Sequence, residues 1–345
     1  MWYDTLLEKE VVPDFILRRK IRNLLKERLK EQKQPDDQSL EAQIRSLVKE
    51  LSESPVALNT KDANEQHYEL PTEFFQYVLG PHMKYSSGWW ENGVETFEES
   101  EFQMLKLTCE HADLTEAQQV LELGCGWGSL SLFMAEHYPT SLFTVVSNSR
   151  TQKKYIDGQA VKRGLKNLRV ITADMNTFDI DQTFDRVVSV EMFEHMRNYK
   201  ILMNRIAGWL KPEGKLFVHI FTHHKYAYKF EVKDDSDFMS KYFFTGGIMP
   251  SNDLLFYFND DLQREQQWLI NGTNYQKTSE AWLSNIDYNR EAIILIMNKT
   301  YGADKGMLWF AYWRIFFMSC AELWGYNNGQ EWMVSHYLFH KRNKQ

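Results

Sequence analysis

Two short runs of this 345-residue chain carry residue types that can do chemistry. The first is Glu191-Met192-Phe193-Glu194-His195, two carboxylates and an imidazole close together. Such groups accept protons or hold cations. A metal is the weaker reading, because Glu194 and His195 are adjacent and no H-x-x-x-H pair sets a second ligand on one helical face. No metal is therefore expected. General base work fits better, with one group taking a proton and a second carboxylate holding a cation. The bland alternative is that Glu191 or His195 only bonds loop backbone. The second run is Gly124-Cys125-Gly126-Trp127-Gly128. Glycines tolerate positive φ and let backbone approach a ligand closely. The spacing is G-x-G-x-G, not the G-x-G-x-x-G of dinucleotide binders, and Val146-Ser147-Asn148 lacks the acid that usually holds an NAD ribose. A glycine run alone is often just a tight turn. A strand leading in and a helix leading out make it a binding loop.

The surrounding pattern supplies both. Apolar runs at 119–123, 142–147, 168–173, 184–190 and 215–221 alternate with helical segments, which predicts a doubly wound, mostly parallel α/β sheet. Ligands of such sheets bind beyond the carboxyl ends of the strands, at the topological switch point. The glycines follow the first predicted strand and Glu191 follows the fourth. Asp174 follows the third, where its carboxylate either accepts from an adenine amino group or caps the next element. Ahead of the sheet, Leu17, Ile21, Leu24, Leu25 and Leu29 and then Leu40, Ile44, Leu47, Val48 and Leu51 predict two helices, a hairpin over 1–60. Its basic face suits an anionic membrane or, preferably, solvent. Beyond the sheet, residues 223–265 are aromatic and acidic. A strand at 263–270 ends at Asn271-Gly272, helices follow at 278–300 and 303–324, and a last strand covers 332–339. The expected division is a helical extension at 1–60, a catalytic core at 61–225, a cap with helices and one strand at 226–325, and a final core strand at 326–345.

Composition narrows the partners. Forty basic against 47 acidic residues give a net charge of −7, which argues against a nucleic-acid binder. Aromatic residues make up 14% of the chain, enough to pave a pocket for an apolar or cationic ligand or simply to enlarge the core. Cys109, Cys125 and Cys320 form no C-x-x-C pair, so neither disulfides nor structural zinc are expected, and a cytoplasmic protein is. The start, Met1-Trp2-Tyr3-Asp4, lacks the features of a secretory signal. The apolar stretch 307–323 carries Arg314 and Glu322 and reads as a buried helix rather than a membrane span. The oligomeric state, monomer or homodimer, stays open.

Longer motifs point to a family. The segments His67-Tyr68-Glu69-Leu70 and Leu79-Gly80-Pro81-His82-Met83-Lys84-Tyr85-Ser86-Ser87-Gly88-Trp89-Trp90, together with Leu121–Gly128 and Phe193-Glu194-His195, resemble the cyclopropane-fatty-acid synthase superfamily. Glu191–Tyr199, Ala311-Tyr312-Trp313-Arg314 and the run 325–333 are most similar to the plant coclaurine N-methyltransferases, which methylate benzylisoquinoline amines. The resemblance implies a class I methyltransferase fold: a Rossmann-like, seven-stranded, mostly parallel sheet with helices on both faces. It implies S-adenosylmethionine as cofactor, held by Tyr85, Ser86, Gly124, Gly126, Ser147, Asn148, Gln152, Asp174 and Met175. It also implies that Glu194 and His195 share the base role, with Glu191 near the amine. Trp313 and Phe316 would line the substrate pocket, together with His219 and Tyr275. Lipid-cyclopropanating members use a bicarbonate cage, with a cysteine where this chain has Ser87 and commonly a glycine where it has Glu191. Glu194, His219 and Tyr275 match other cage positions. The leading expectation is a small-molecule amine N-methyltransferase. A cyclopropane synthase or other lipid methyltransferase is second, and a non-catalytic S-adenosylmethionine-binding protein third.

Overall fold

The computed structural model describes residues 4–58, 70–91, 93–232 and 237–342. The His67-Tyr68-Glu69 part of the opening motif and the expected boundary at 60/61 lie outside them.

The core is a seven-stranded sheet in the order β3-β2-β1-β4-β5-β9-β8. β1 (Gln119–Leu123), β2 (Leu142–Ser147), β3 (Leu168–Thr172), β4 (Phe184–Val190) and β5 (Leu210–His223) all run parallel. Covered on both faces, such strands favour apolar residues at successive positions, as in Val187-Val188 and Val145-Val146, all buried. β6 (Tyr228–Lys229) and β7 (Ile248–Met249) form a separate two-stranded ribbon. β9 (Trp332–Lys341) runs antiparallel between β5 and β8 (Leu262–Ile270). The strand expected within 226–325 is thus the edge of the main sheet. Its partner β9 comes three helices later, a pairing that local pattern does not reveal.

The single helical pattern at 278–300 is two helices, Thr273–Tyr288 and Arg290–Tyr301, broken at Asn289. Gly306–Gly325 follows, burying Phe310, Trp313, Phe316 and Phe317. At the other end, Asp37–Glu53 begins at Asp36, whose side chain accepts from Ser39 N–H, and buries Leu40, Ile44, Leu47 and Leu51 in one core cluster with Tyr199 and Met203. Asp14–Gln32 instead leans Leu17, Ile21, Leu25 and Leu29 on the cluster around the C-terminal helices. The two leader helices thus go to different neighbours. Part of the basic face pairs internally: Arg18 with Glu280 and Glu322, Arg22 with Glu322, Arg28 with Asp237. Among the described residues no helix is long and apolar enough to cross a membrane.

Candidate active site

Strand order reverses between β1 and β4, and both key runs sit at their carboxyl ends. Gly124, Gly126 and Gly128 all have positive φ, but they do different work. A Cβ on Gly124 would lie 2.7 Å from Met192, and one on Gly128 2.6 Å from Ile156. These two glycines permit close packing. At Gly126 a Cβ would meet nothing within 4 Å: this is the glycine that faces open space.

That space is two cavities sharing Gly124, Gly126, Gln152 and Glu191 as walls. The first adds Ser147, Asn148, Asp174, Met175 and His195, and the second adds Lys84, Tyr85, Ser86, Trp127 and Ser129. All nine residues expected at the cofactor therefore line one cavity or the other. Ser147 Oγ donates to Gln152 Oε1 at 2.6 Å, while Gln152 Nε2 is buried without a partner, as are Trp127 Nε1 and Ser129 Oγ. Three unpaired polar atoms on one wall are costly unless a polar ligand meets them. The wall fits the ribose and polar tail of S-adenosylmethionine. Asp174 also caps, since its Oδ1 accepts from Asn176 N–H at 2.8 Å.

Glu191 stands immediately beyond β4 with φ +46°, a left-handed conformation that costs a non-glycine residue about 1–2 kcal/mol. Its Oε2 accepts from Tyr275 Oη at 2.7 Å, and its Oε1 lies 3.3 Å from His219 Nε2. Burial pushes its carboxyl up to about 7, against the pull of Tyr275, of the Lys84 charge and of Ser87 N–H. Burial also keeps His219 neutral, so this contact is a hydrogen bond and not an ion pair. Lys84, wholly buried, donates to Ser86 Oγ and, at 2.8 Å, to the Ser87 carbonyl. Burial lowers its ammonium to about 8, while Glu191 and Glu101 resist. Nothing in the sequence marked Lys84, which reads there as one residue of a motif.

The remaining expected residues fall behind this front. Glu194 is buried and lines neither cavity; its Oε2 has no partner, and burial followed by the Glu191 charge holds it well above the usual carboxyl range. Trp313 and Phe316 line neither cavity and pack on Phe243, with ring centroids at 5.0 and 4.5 Å. Ser87 turns its Oγ to the Gly88 carbonyl. His223, His224 and Glu331 bring possible ligand atoms within 4.8 Å of one another, a trio with no sequence signal. His223 Nδ1 accepts from the N–H groups of Lys225 and Tyr226, both at 2.9 Å. The proton of the neutral ring then sits on Nε2, which leaves that nitrogen no lone pair for an ion.

Comparison with known proteins identifies the family. The family model of mycolic acid cyclopropane synthetase matches residues 57–327. (S)-Coclaurine N-methyltransferase from Thalictrum flavum subsp. glaucum is 37% identical, over 97% of this chain and 94% of its own. The Papaver somniferum enzyme of the same name is 36% identical over 97% of each. A crystal structure of coclaurine N-methyltransferase bound to N-methylheliamine and S-adenosylhomocysteine superposes with a TM-score of 0.94, at 36% identity over 98% of both chains. The lipid and non-catalytic alternatives are not favoured. The chain belongs to the mycolic acid cyclopropane synthetase family and is within it an S-adenosylmethionine-dependent N-methyltransferase of the coclaurine N-methyltransferase kind.

Proposed function

We propose that the chain methylates the nitrogen of a small aromatic amine, of the kind its relatives' names describe, and that Glu191 takes the proton which the amine must lose. The observation that carries this reading is the placement of Glu191: it is a buried carboxylate on the wall shared by both cavities. S-adenosylmethionine supplies an electrophilic sulfonium methyl. The acceptor must offer a lone pair, yet an amine with a pKa near that of lysine, about 10.4, is almost wholly protonated at neutral pH. A base near 7 is well matched to that task. Glu191 as carboxylate first attracts the ammonium and then accepts its proton, with His195 on the same cavity wall. Gln152, Ser147, Asn148, Asp174 and Met175 hold the nucleoside side, and Tyr85, Ser86 and the Gly124–Gly126 turn hold the methionine side. Glu194, neutral at rest, positions the acid-histidine turn rather than taking the proton. Trp313 and Phe316, packed on Phe243, shape the amine side.

The partner in this reading is a small molecule. We place the protein in the cytoplasm, which suits its three unpaired cysteines. The test is mass spectrometry of purified protein with labelled methyl donor, offered benzylisoquinoline and simpler amines beside an unsaturated phospholipid. N-methylated product supports the reading. Bicarbonate-dependent cyclopropane formation, with every amine unchanged, would overturn it.

A further inference from the structure

We propose that His219, His336 and His111 form a neutral positioning array that holds the Glu191 carboxylate ionised from behind the sheet. The proposal rests on Glu191 as the base. His219 on β5 and His336 on β9 are paired directly across the antiparallel ladder, both fully buried. His219 Nε2 reaches Glu191 Oε1 at 3.3 Å, His219 Nδ1 lies 2.8 Å from His336 Nε2, and His336 Nδ1 lies 2.8 Å from His111 Nδ1. His111 ends the helix Phe97–His111, is partly exposed, and stacks on Trp268 with centroids 3.9 Å apart. Three imidazoles therefore connect a buried carboxylate to the protein surface.

A neutral imidazole offers one donor and one acceptor. The array consequently has two fully paired orders. When Glu191 is ionised, His219 Nε2–H donates to it, His336 Nε2–H donates to His219 Nδ1, and His111 Nδ1–H donates to His336 Nδ1. When Glu191 is protonated, its O–H donates to His219 Nε2, the N–H groups of His219 and His336 donate outward from their Nδ1 atoms, and His111 carries its proton on Nε2. Going from the second order to the first breaks the Glu191 O–H bond, shifts one proton along each link, and releases one proton to water from His111 Nε2. Every buried nitrogen stays paired in both, and no imidazolium is left in the sheet. In the ionised order three N–H dipoles point at the carboxylate and polarise one another in the same sense. Burial keeps all three rings uncharged, so they act as dipoles and not as cations. Among the described residues Lys84, Glu194, Tyr275 and Cys320 also act on or respond to Glu191, and His195 shares its cavity wall. Among these Lys84 is the cation, and it also bears on His219 and His336.

The test reads Glu191 directly. Carboxyl-labelled glutamate, assigned by loss of one signal in Glu191→Gln, gives the Glu191 titration midpoint by carbon NMR without any substrate. In His336→Phe the midpoint should rise by about half a unit to one unit, a three- to tenfold gain in proton affinity. His336→Gln, whose amide can donate to His219 and accept from His111, should restore most of it. His111→Phe keeps the stack on Trp268 and should give a smaller rise, which keeps the idea testable if His336→Phe does not fold. Unchanged midpoints in the folded variants overturn the array. Full turnover in Glu191→Gln would instead sink the base reading, a separate result.

Discussion

The two walls of the cleft are built in opposite ways. Apart from Tyr85 and Ser86, the wall of expected cofactor residues is local: Gly124–Ser129 follows β1, Ser147 ends β2 with Asn148 and Gln152 just beyond, and Asp174-Met175 follows β3, each a short run at a strand end. The wall around Glu191, which we propose accepts the proton, is assembled over long range. Glu191 comes from the turn after β4, His219 from β5, Tyr275 from the helix Thr273–Tyr288 and Lys84 from a loop far upstream. The first wall leaves polar atoms unpaired, whereas the second pairs and buries a carboxylate and so raises its proton affinity. Damage to the first should therefore appear in binding, and damage to the second in turnover.

The sharpest division should come from Glu191→Gln. The amide keeps the size of the side chain and cannot accept a proton, so turnover should fall by roughly 10²–10⁴-fold. S-adenosylmethionine affinity, measured by calorimetry, should stay within about twofold because the residue acts on the amine side. A large loss of affinity with retained single-turnover chemistry would reverse the assignment of the walls. Gly126→Val should do the opposite. Its branched side chain would fill the open space beyond Gly126 and must adopt φ near +51° there. A stability loss of about 1–2 kcal/mol is expected from the backbone alone. Cofactor affinity should drop well over tenfold in the protein that remains folded, and unchanged affinity would remove Gly126 from the cofactor wall.

How far each wall could be read in advance follows from the same contrast. The glycine run, Ser147-Asn148 and Asp174 are legible because each sits at the end of an apolar run, and the parallel sheet brings such ends together. Glu191 was visible as a carboxylate beyond a strand, but its left-handed φ and its hydrogen bond to Tyr275 were not. His336 carried no signal, since only the β5–β9 register sets it against His219. Resemblance named Trp313 and Phe316 as pocket residues; they line neither of the two cavities and pack on Phe243 from the irregular segment. That segment, 223–265, had no periodicity to read. The edge strand Leu262–Ile270 was visible as a strand, and its membership in the main sheet was hidden by the three helices before its partner.

The pH profile separates the walls more gently. Burial raises Glu191 to about 7, and the carboxylate is the active form of a base. Below that value the competent fraction falls about tenfold per unit, so kcat/KM should climb with pH and bend near 7. Because the ammonium is the form that Glu191 binds, the wild-type profile should level off above 7 and fall only as the amine itself deprotonates near about 10. Glu191→Gln, which needs an amine already free, should lose the bend near 7 and instead rise with the free-amine fraction toward about 10, while the pH dependence of cofactor binding should be unaffected. A wild-type profile with no bend between pH 6 and 8 would remove Glu191 from the protonic step.

The smallest effect should come from Glu194→Gln, and it decides which acid does the work. Resemblance gives Glu194 the base role alongside His195, and for a true base the loss would again be 10²–10⁴-fold. Its surroundings argue otherwise. Glu194 is 1% exposed, lines neither cavity, and has an oxygen with no partner, so an ionised form would be a nearly unsolvated anion beside Glu191. Two neighbouring buried carboxyls do not both ionise readily, and the one with Lys84, Tyr275 and His219 around it keeps the charge. Glu194 at neutral pH is then an uncharged carboxyl, which glutamine copies in shape and polarity. We expect turnover to fall less than about tenfold, with cofactor affinity and melting temperature nearly unchanged. A loss as large as that of Glu191→Gln, with the bend near 7 displaced, would transfer the base role from the cavity wall to the residue behind it.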